Sequence, residues 1–470
     1  MLLLATQGVK HLVISFVSIR SVKNRCFTLT LNRHEVFPCS AAIWRDFLAI
    51  ELRGCMECVY VGAGDLSMKH TICVVLLISL LGICQPTYAE GEKKLSLEEI
   101  RDHIAGGWIG QGIGVTFADR YEFRACGKMV EGDLRAWEPE FLERSLAQDD
   151  LYVDVTFIDA LKTHGPQITM EQAGQVFAAT EYPLWHANSE ARKNIRNGIK
   201  PPLSGHPKYN LHADDIDFQI ECDGLGLVCP GLPQLSNELC DVFGHVINYG
   251  DAVYSGMWIA GMYTQAFLTK NVAEIVHRAL GCVPAESRLA ECIKDVIAWH
   301  NQYAEDWTKT WAEVERRYQD DVDCLPGKPA NIDAVLNAAY VAIALLYGEG
   351  DMAKTMEIAT RCGQDSDCNT ASACGVLGCA LGLSNIEEKY KSHLPKIAGR
   401  RFAHTQYSYQ TLIDTSLDLA CTMIKHAGGR IVDEDGKRFA IIPTQDPLAP
   451  PTLEQWPVES QKRMLGIGTK

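Results

Sequence analysis

The chain has 470 residues, of which 47% are hydrophobic and 22% are charged, so it can bury a sizeable core. Its formal net charge of -15 at pH 7 excludes a protein that works mainly by holding nucleic acid, because phosphates require basic surfaces. The same charge opposes binding to an anionic membrane surface. We therefore expect a globular protein that acts on a small molecule or on another protein.

The first predicted element is a secretory signal peptide at residues 68–89. A basic start at Met68 precedes an apolar run at 72–83, and small residues then lead to Ala89, after which we place the cleavage. The run is too short to cross a membrane, since a spanning helix needs about 20 residues. The mature protein is therefore predicted to be periplasmic or secreted, with no membrane contact once the signal is removed.

Residues 1–67 precede this signal, although a signal peptide should begin a chain. We interpret Met68 as the true initiator and residues 1–67 as an over-extended start. The alternative is a genuine leader followed by an internal signal-anchor. A lipoprotein anchor at Cys84 is disfavoured because Ile83 stands where a small residue is needed.

From residue 95 onward, apolar residues recur at three-to-four spacing, which predicts helices almost throughout. Ser96 and Glu99 have the spacing of a helix start. The segment 333–346 is nearly all apolar and predicts a central buried helix. The other predicted helices span 151–161, 171–178, 237–246, 254–268, 272–280, 289–301, 307–318, 352–361 and 409–427.

Strand signals are few. Segments 430–432 and 439–442 flank an acidic, glycine-containing turn and predict a small terminal hairpin. With no internal repeat and no convincing linker, we expect one all-α domain over residues 90–450, followed by a tail at 451–470. Export would permit disulfides, and Cys282 with Cys292 is the first pair to test.

Two acidic motifs point to a metal. Asp365 and Asp367 are one residue apart in a turn that opens a predicted helix, which creates an oxygen-rich pocket of the kind that Mg²⁺ prefers. Asp149 and Asp150 form a second pair at another predicted helix start. Those two could instead be capping residues favoured by the helix dipole.

A glycine-rich segment, 106–114, precedes Glu122. Glycines at every fourth position give a helix a flat face for close packing, and this spacing alone indicates no more than packing. Glu122 taken alone would be a solvated surface residue. The importance of both lies in their order relative to the acidic motifs.

In this order, the three motifs resemble the ADP-ribosylglycohydrolase family, whose members include the dinitrogenase reductase-activating glycohydrolase, over roughly residues 95–427. The resemblance implies a compact multi-helix fold, hydrolysis of an ADP-ribosyl bond and two bound Mg²⁺ ions. It implies that Glu122 lies over the ribose as an acid/base or gate, and that Asp150 also takes part in catalysis. The implied metal ligands are Asp149, Asp150, Asp365, Asp367 and Cys368.

The resemblance also implies a substrate-binding segment and an orienting asparagine on the buried helix. Asn248 stands where the family often has a histidine. The implied substrate-binding residues are Asn248, Gly250, Asp251, Tyr254 and Asn337. The chain departs from the family pattern at Gln111, Gln148, Leu151 and Cys368.

Polar residues alternate in the stretch after the long loop at 199–216. They could line a sugar pocket or form the polar side of an extended segment. The alternating residues are Asp215, Asp217, Gln219 and Glu221. Loop histidines near the expected pocket mouth are more often solvated than catalytic; these are His186, His206 and His212.

Cleavage of a ribosyl bond passes through an oxocarbenium-like state and needs help for the leaving group and a supply of water. Bound metal ions can clamp ribose hydroxyls and activate that water. We therefore predict an exported Mg²⁺-dependent glycohydrolase of ADP-ribosyl or related ribosyl bonds. The alternatives are a hydrolase of nucleosides or other small furanosides, and a non-catalytic, crystallin-like member. Retention of all four aspartates opposes the latter, because buried like charges are costly.

Overall fold

In a computed structural model, residues 91–319 and 332–455 are described in full. Of the preceding residues, only the backbone of four short strands is described. The chain divides into two units, Met1–Thr87 and Tyr88–Lys470. The predicted signal peptide at 68–89 therefore lies outside the described residues.

The first unit contains two antiparallel strand pairs. Its strands are β1 (Leu12–Ile14), β2 (Val17–Val22), β3 (Cys26–Leu31) and β4 (Glu35–Phe37). β1 pairs with β4, and β2 pairs with β3. The sequence analysis predicted no structure for this stretch.

The second unit is mainly helical, so the predicted all-α class is confirmed. Its helices begin with α1 (Leu97–Ala118), α2 (Asp149–His164), α3 (Met170–Ala178), α4 (His186–Arg196), α5 (Asp217–Ile220), α6 (Asp223–Leu227), α7 (Pro233–Ile247), α8 (Asp251–Ala266) and α9 (Val272–Ala279). They continue with α10 (Arg288–Gln302), α11 (Trp307–Tyr318), α12 (Ala334–Gly348), α13 (Met352–Cys362), α14 (Ser366–Leu381), α15 (Glu388–Lys391), α16 (Leu394–Ile397) and α17 (Tyr409–His426). Short 3₁₀ segments occur at Pro139–Ala147, Leu280–Cys282 and Leu383–Asn385.

The glycine-rich helix α1 packs directly against α14. Its start is a capping box, in which the Glu99 backbone N–H donates to Ser96 Oγ at 3.1 Å and Glu99 Oε2 accepts from the Ser96 N–H at 2.7 Å. A Cβ added at Gly110 or Gly114 would overlap a backbone carbonyl of α14. The missing side chains thus allow the two backbones to touch. This contact fixes the N-terminal end of α14, where Asp365 and Asp367 lie.

The predicted central helix is confirmed, because every residue of α12 is buried. In a fully buried helix, a polar side chain needs a hydrogen-bond partner inside the protein. Asn337 is a buried polar side chain of α12.

The predicted hairpin is present as β6 (Arg430–Glu434) and β7 (Lys437–Pro443), with Val432 opposite Phe439. A third strand, β5 (Glu92–Ser96), was missed because it is short and rich in charged residues. β5 pairs antiparallel with β7. The sheet therefore joins the two ends of the helical unit.

Two sequence predictions need correction. The stretch containing Asp215 and Glu221 is not extended: it includes the helical turn α5, and all four alternating polar residues are buried. The proposed disulfide between Cys282 and Cys292 is wrong, since both thiols are unbonded. The two sulfurs face different neighbours: Cys282 packs against Gly261 of α8, whereas Cys292 Sγ lies 3.9 Å from the Val335 carbonyl of α12.

None of the helices in the described part of the chain is both long enough and apolar enough to traverse a bilayer.

α4 was also missed by the sequence analysis. Its buried face is made of small or polar residues, so it lacks the apolar periodicity that predicts a helix.

Candidate active site

The acidic motifs lie at the N-terminal ends of two helices. Asp149 and Asp150 open α2, whereas Asp365 precedes α14 and Asp367 lies in its first turn. Cys368 Sγ lies 3.7 Å from Asp150 Oδ2 and so connects the two motifs. One ligand atom from each of Asp365, Asp367 and Cys368 falls within 4.8 Å of the others. The structure thus brings the two distant motifs together.

The loop that carries Glu122 is bound to the loop before α14. The Phe123 N–H donates to the Gln364 carbonyl at 2.9 Å, and the Gln364 N–H donates to the Ala125 carbonyl at 2.8 Å. Phe123 and Gln364 have φ angles of 49° and 54°, in the left-handed region that is costly for residues other than glycine. This strained pairing brings Glu122 beside the carboxylates.

The carboxylates are withdrawn from water. Asp150, Asp365 and Asp367 are 1%, 5% and 6% exposed. Burial, followed by the negative charge of Asp149, raises the pKa of Asp150 well above its usual range. Burial, followed by the charge of Asp367, does the same to the pKa of Asp365, and burial raises the pKa of Asp367 to about 6. Such a group of buried acids requires either protons or cations.

Unsatisfied oxygens favour cations as the partner. Asp150 Oδ1, Asp365 Oδ1 and Asp367 Oδ1 are buried without a hydrogen-bond partner among the described residues. Asp365 is at the N-cap of α14 but makes no side-chain capping bond. Capping therefore does not account for Asp365. A carboxylate-rich site with free oxygen ligands fits hard divalent ions such as Mg²⁺.

Glu122 lies next to this group but is itself exposed. Burial, followed by the negative charges of Asp367 and Asp149, raises the pKa of Glu122 to about 8. A glutamic acid at this position can therefore hold a proton near neutral pH.

Asn337 supports the site from beneath. Its Oδ1 accepts a 2.7 Å hydrogen bond from Asn369 Nδ2, in the first turn of α14, and its Nδ2 donates to the Asp333 carbonyl at 2.9 Å. The side chain therefore connects α12 to the helix that carries Asp367. Its predicted contact with substrate stays a prediction.

A sequence profile of the ADP-ribosylglycohydrolase family matches residues 96–420. The chain belongs to the ADP-ribosylglycohydrolase family. A solved structure described as an "ADP-ribosylglycohydrolase-related protein complex" is similar, with 14% identity, coverage of 69% of this chain and 99% of that chain, and a TM-score of 0.45. A search of curated proteins finds no significant match. The family membership makes the protein a hydrolase of the glycosidase type, and members are typically metal-dependent.

In this family member, the other predicted substrate-binding residues make internal contacts. Asn248 is fully buried; its Nδ2 donates to the carbonyls of Ala213 and Asp215, and its Oδ1 accepts from the Phe218 N–H. Its side chain thus fixes the loop before α5. Its role toward substrate stays a prediction.

Gly250, Asp251 and Tyr254 make hydrogen bonds to two other segments, at Glu454 and at Leu289. The Gly250 N–H donates to Glu454 Oε2 at 2.6 Å, and the Tyr254 hydroxyl accepts from the Glu454 N–H at 2.7 Å. Asp251 Oδ1 accepts from the Leu289 N–H at 2.9 Å. These contacts hold the C-terminal segment and the start of α10. Their predicted role in substrate binding is untested.

The sequence analysis missed a second pair of buried acids. Gln111 Nε2 donates to Asp154 Oδ2 at 3.2 Å and to Asp223 Oδ2 at 2.8 Å, and the Gly224 N–H donates to Asp154 Oδ1 at 3.0 Å. The position of Asp154, four residues after Asp150, was the available signal, because that spacing puts both on one helix face. Gln111, noted only as a departure from the family pattern, holds this pair together.

A cavity of about 450 Å³ opens beside α2. Its lining includes Asp159, Tyr182, His404 and Tyr407 but none of the four site aspartates. The cavity and the group of buried acids therefore lie in different places. The group of buried acids, and not this cavity, is the candidate active site, because three of its carboxylate oxygens are buried without a hydrogen-bond partner among the described residues.

Proposed function

We propose that the protein is a Mg²⁺-dependent hydrolase of an ADP-ribosyl or related ribosyl glycosidic bond. The observation that carries this proposal is the convergence of Asp150, Asp365 and Asp367, whose buried Oδ1 atoms lack hydrogen-bond partners among the described residues, with the charge of Asp149 beside them. A purely structural protein gains nothing from such a group, because uncompensated buried charge is destabilising.

The residues that would hold two Mg²⁺ ions are Asp149, Asp150, Asp365 and Asp367, with Cys368 at the edge. When bound, the ions supply positive charge that orients ribose hydroxyls and eases deprotonation of water. Four carboxylates nearly neutralise two such ions. The loss of one carboxylate should therefore severely weaken the site.

Glu122 is the proposed proton donor and gate. Its exposed carboxyl lies beside Asp367 and Asp149, so it would be close to a substrate held at the proposed ions. Donation of its proton to the departing atom would assist a leaving group that is otherwise poor. Asp150 is the proposed second catalytic group, since its Oδ1 has no hydrogen-bond partner in residues 91–319 and 332–455 and can accept a proton or a cation.

The test is a substrate panel with and without a chelator. It contains ADP-ribosylated peptides, free ADP-ribose derivatives and nucleosides, each assayed with Mg²⁺ and with EDTA. We expect chelator-sensitive release from an ADP-ribosyl compound and its loss in Asp367→Asn. Turnover of nucleosides alone would transfer the proposal to a small furanoside. No turnover together with no Mg²⁺ binding would support the non-catalytic alternative.

We also propose that the protein is exported by the signal at 68–89. Cleavage after Ala89 would leave β5 intact, because that strand begins at Glu92. The test is to express residues 68–470 in a bacterial host and to sequence the N-terminus of the product. A periplasmic product that begins at Glu90 is expected. A full-length cytosolic product would contradict export.

A further inference from the structure

Two histidines and an aspartate form another group of metal-ligating side chains. His186 opens α4, and His212 and Asp215 lie in the loop before α5. Asp215 Oδ2 is 2.9 Å from His212 Nδ1 and 3.3 Å from His186 Nδ1. The imidazole rings are 5.3 Å apart and nearly perpendicular, at 86°. Three donors of a transition-metal site therefore converge on one point.

One of the two separations, 2.9 Å between His212 Nδ1 and Asp215 Oδ2, is a hydrogen bond in the metal-free protein, whereas the other fits a tetrahedral ion. With bonds of about 2.0–2.1 Å, two ligand atoms on a tetrahedral Zn²⁺ lie about 3.3 Å apart. The His186–Asp215 distance has this value, and it exceeds the usual range of about 2.7–3.2 Å for an N–H···O hydrogen bond. The His212–Asp215 distance needs to open by only about 0.4 Å to match. Side-chain rotation can supply that change.

Hydrogen bonds from neighbouring asparagines hold the three ligands in place. Asn210 Nδ2 donates to the Ala187 carbonyl, beside His186, while Asn210 Oδ1 accepts from the His212 N–H, both at 3.0 Å. Asn248 Nδ2 donates to the Asp215 carbonyl at 2.9 Å. Both asparagines are fully buried. Such supporting bonds orient the ligands of metal sites.

Asp217 adds a second buried carboxylate beside the two imidazoles. Its Oδ1 accepts from the Asn188 N–H at 3.0 Å, but its Oδ2 is buried without a hydrogen-bond partner in the described part of the chain. Its negative charge acts on both imidazoles. His186 has a φ of 39°, a conformation that is costly for a residue other than glycine. Strain and an unsatisfied carboxylate therefore meet at the same cluster.

The donor atoms and their exposure define the ligand. The side chains of His186 and His212 are 26% and 32% exposed, whereas Asp215 is 5% exposed. An ion can therefore enter past the imidazoles. Imidazole nitrogens suit Zn²⁺ and its first-row neighbours, whereas Mg²⁺ and Ca²⁺ prefer oxygens. We propose that His186, His212 and Asp215 bind a divalent first-row transition metal of the Zn²⁺ class, with one coordination position open to solvent.

This site is independent of the proposed glycohydrolase reaction, and its test needs no substrate. Chelator-treated full-length protein is saturated with Mg²⁺, to fill the oxygen site, and is then titrated with Co²⁺ as a spectroscopic probe. We expect one equivalent to bind with the visible spectrum of a tetrahedral ion and without a thiolate-to-cobalt band. In His186→Gln and His212→Gln, the affinity should fall about 100-fold or more.

The matched control is His206→Gln, a loop histidine that packs on Tyr249 instead of Asp215. It should bind Co²⁺ like the unaltered protein. Equal binding in all three variants would overturn the site, as would a thiolate band or no binding at micromolar Co²⁺. If a variant does not fold, X-ray absorption of the zinc-loaded unaltered protein decides: imidazole scattering supports the site, and sulfur scattering overturns it.

Discussion

Asp150 and Asp154 lie one turn apart on the same face of α2, yet their carboxylates have different surroundings. Both Asp154 oxygens accept hydrogen bonds, from Gln111 and from the Gly224 N–H. Asp150 has negative neighbours, and its Oδ1 accepts no hydrogen bond from the described residues. The comparison teaches that burial alone does not mark a ligand. A buried acid whose two oxygens both accept hydrogen bonds can be structural, whereas one with an unpaired oxygen and acidic neighbours needs a proton or a cation.

The largest expected difference between the two is in activity. Asp150→Asn should lower kcat/KM by about a thousandfold or more, because it removes a charge that the site needs to hold its ions. Asp154→Asn should lower it by less than about tenfold, since the new amide oxygen can still accept from the Gly224 N–H. The measurement is steady-state hydrolysis of the substrate that the panel identifies. Equal losses would place Asp154 in the catalytic machinery and end the distinction.

The next effect is stabilisation by metal. A ligand that binds only the folded state at a hundredfold excess over its Kd adds about 2.7 kcal/mol to the free energy of unfolding. We expect Mg²⁺ to raise the melting temperature of the unaltered protein and of Asp154→Asn, but not that of Asp150→Asn. Differential scanning calorimetry with and without EDTA measures this. A similar rise in Asp150→Asn would show that Mg²⁺ binds elsewhere.

The pH dependence of the free energy of unfolding should distinguish Asp367, in the acidic site, from Asp154, but by a smaller amount. Burial raises the folded-state pKa of Asp367 to about 6 and that of Asp154 to about 7. The folded state then binds more protons than the unfolded state, so stability is fully present below about pH 4 and is lost as pH rises through 6 and 7. We expect the free energy of unfolding of chelated protein to fall across this window.

Saturating Mg²⁺ should abolish the fall in the free energy of unfolding that is due to Asp367, and it should not affect the fall that is due to Asp154. The substitution Asp154→Asn should abolish the fall that is due to Asp154. Urea titrations at several pH values test this. An unchanged decline in Mg²⁺ would mean that the cation does not replace protons at Asp367.

The smallest expected effect comes from the sulfur at the edge of the site. In Cys368→Thr, a hydroxyl replaces a thiol 3.7 Å from Asp150 Oδ2. Because Mg²⁺ prefers oxygen to sulfur, its affinity should rise by about two- to tenfold in calorimetric titration. Cys374→Ala, deeper in α14, is the control and should bind Mg²⁺ like the unaltered protein. Unchanged affinity in Cys368→Thr would place this residue outside the ligand set.

The sequence allowed the helical class to be predicted because apolar spacing is local. The 307–318 helix has the predicted bounds, and the buried helix at 333–346 and the hairpin occur where their patterns indicated. The acidic motifs were also visible, since Asp365 and Asp367 are adjacent to a run of small residues. β5 and α4 were missed because their residues are charged, small or polar, and only tertiary contacts bury them.

The sequence by itself determined the family, most of the long helices and the acidic motifs. Tertiary structure alone decided which acids share a site, because convergence depends on contacts between residues more than 200 positions apart, such as Cys368 and Asp150. It also decided that Gln111 donates to both Asp154 and Asp223, and that His186 and His212 meet at Asp215. A side chain's chemistry is local, but its partners are chosen by how the helices pack.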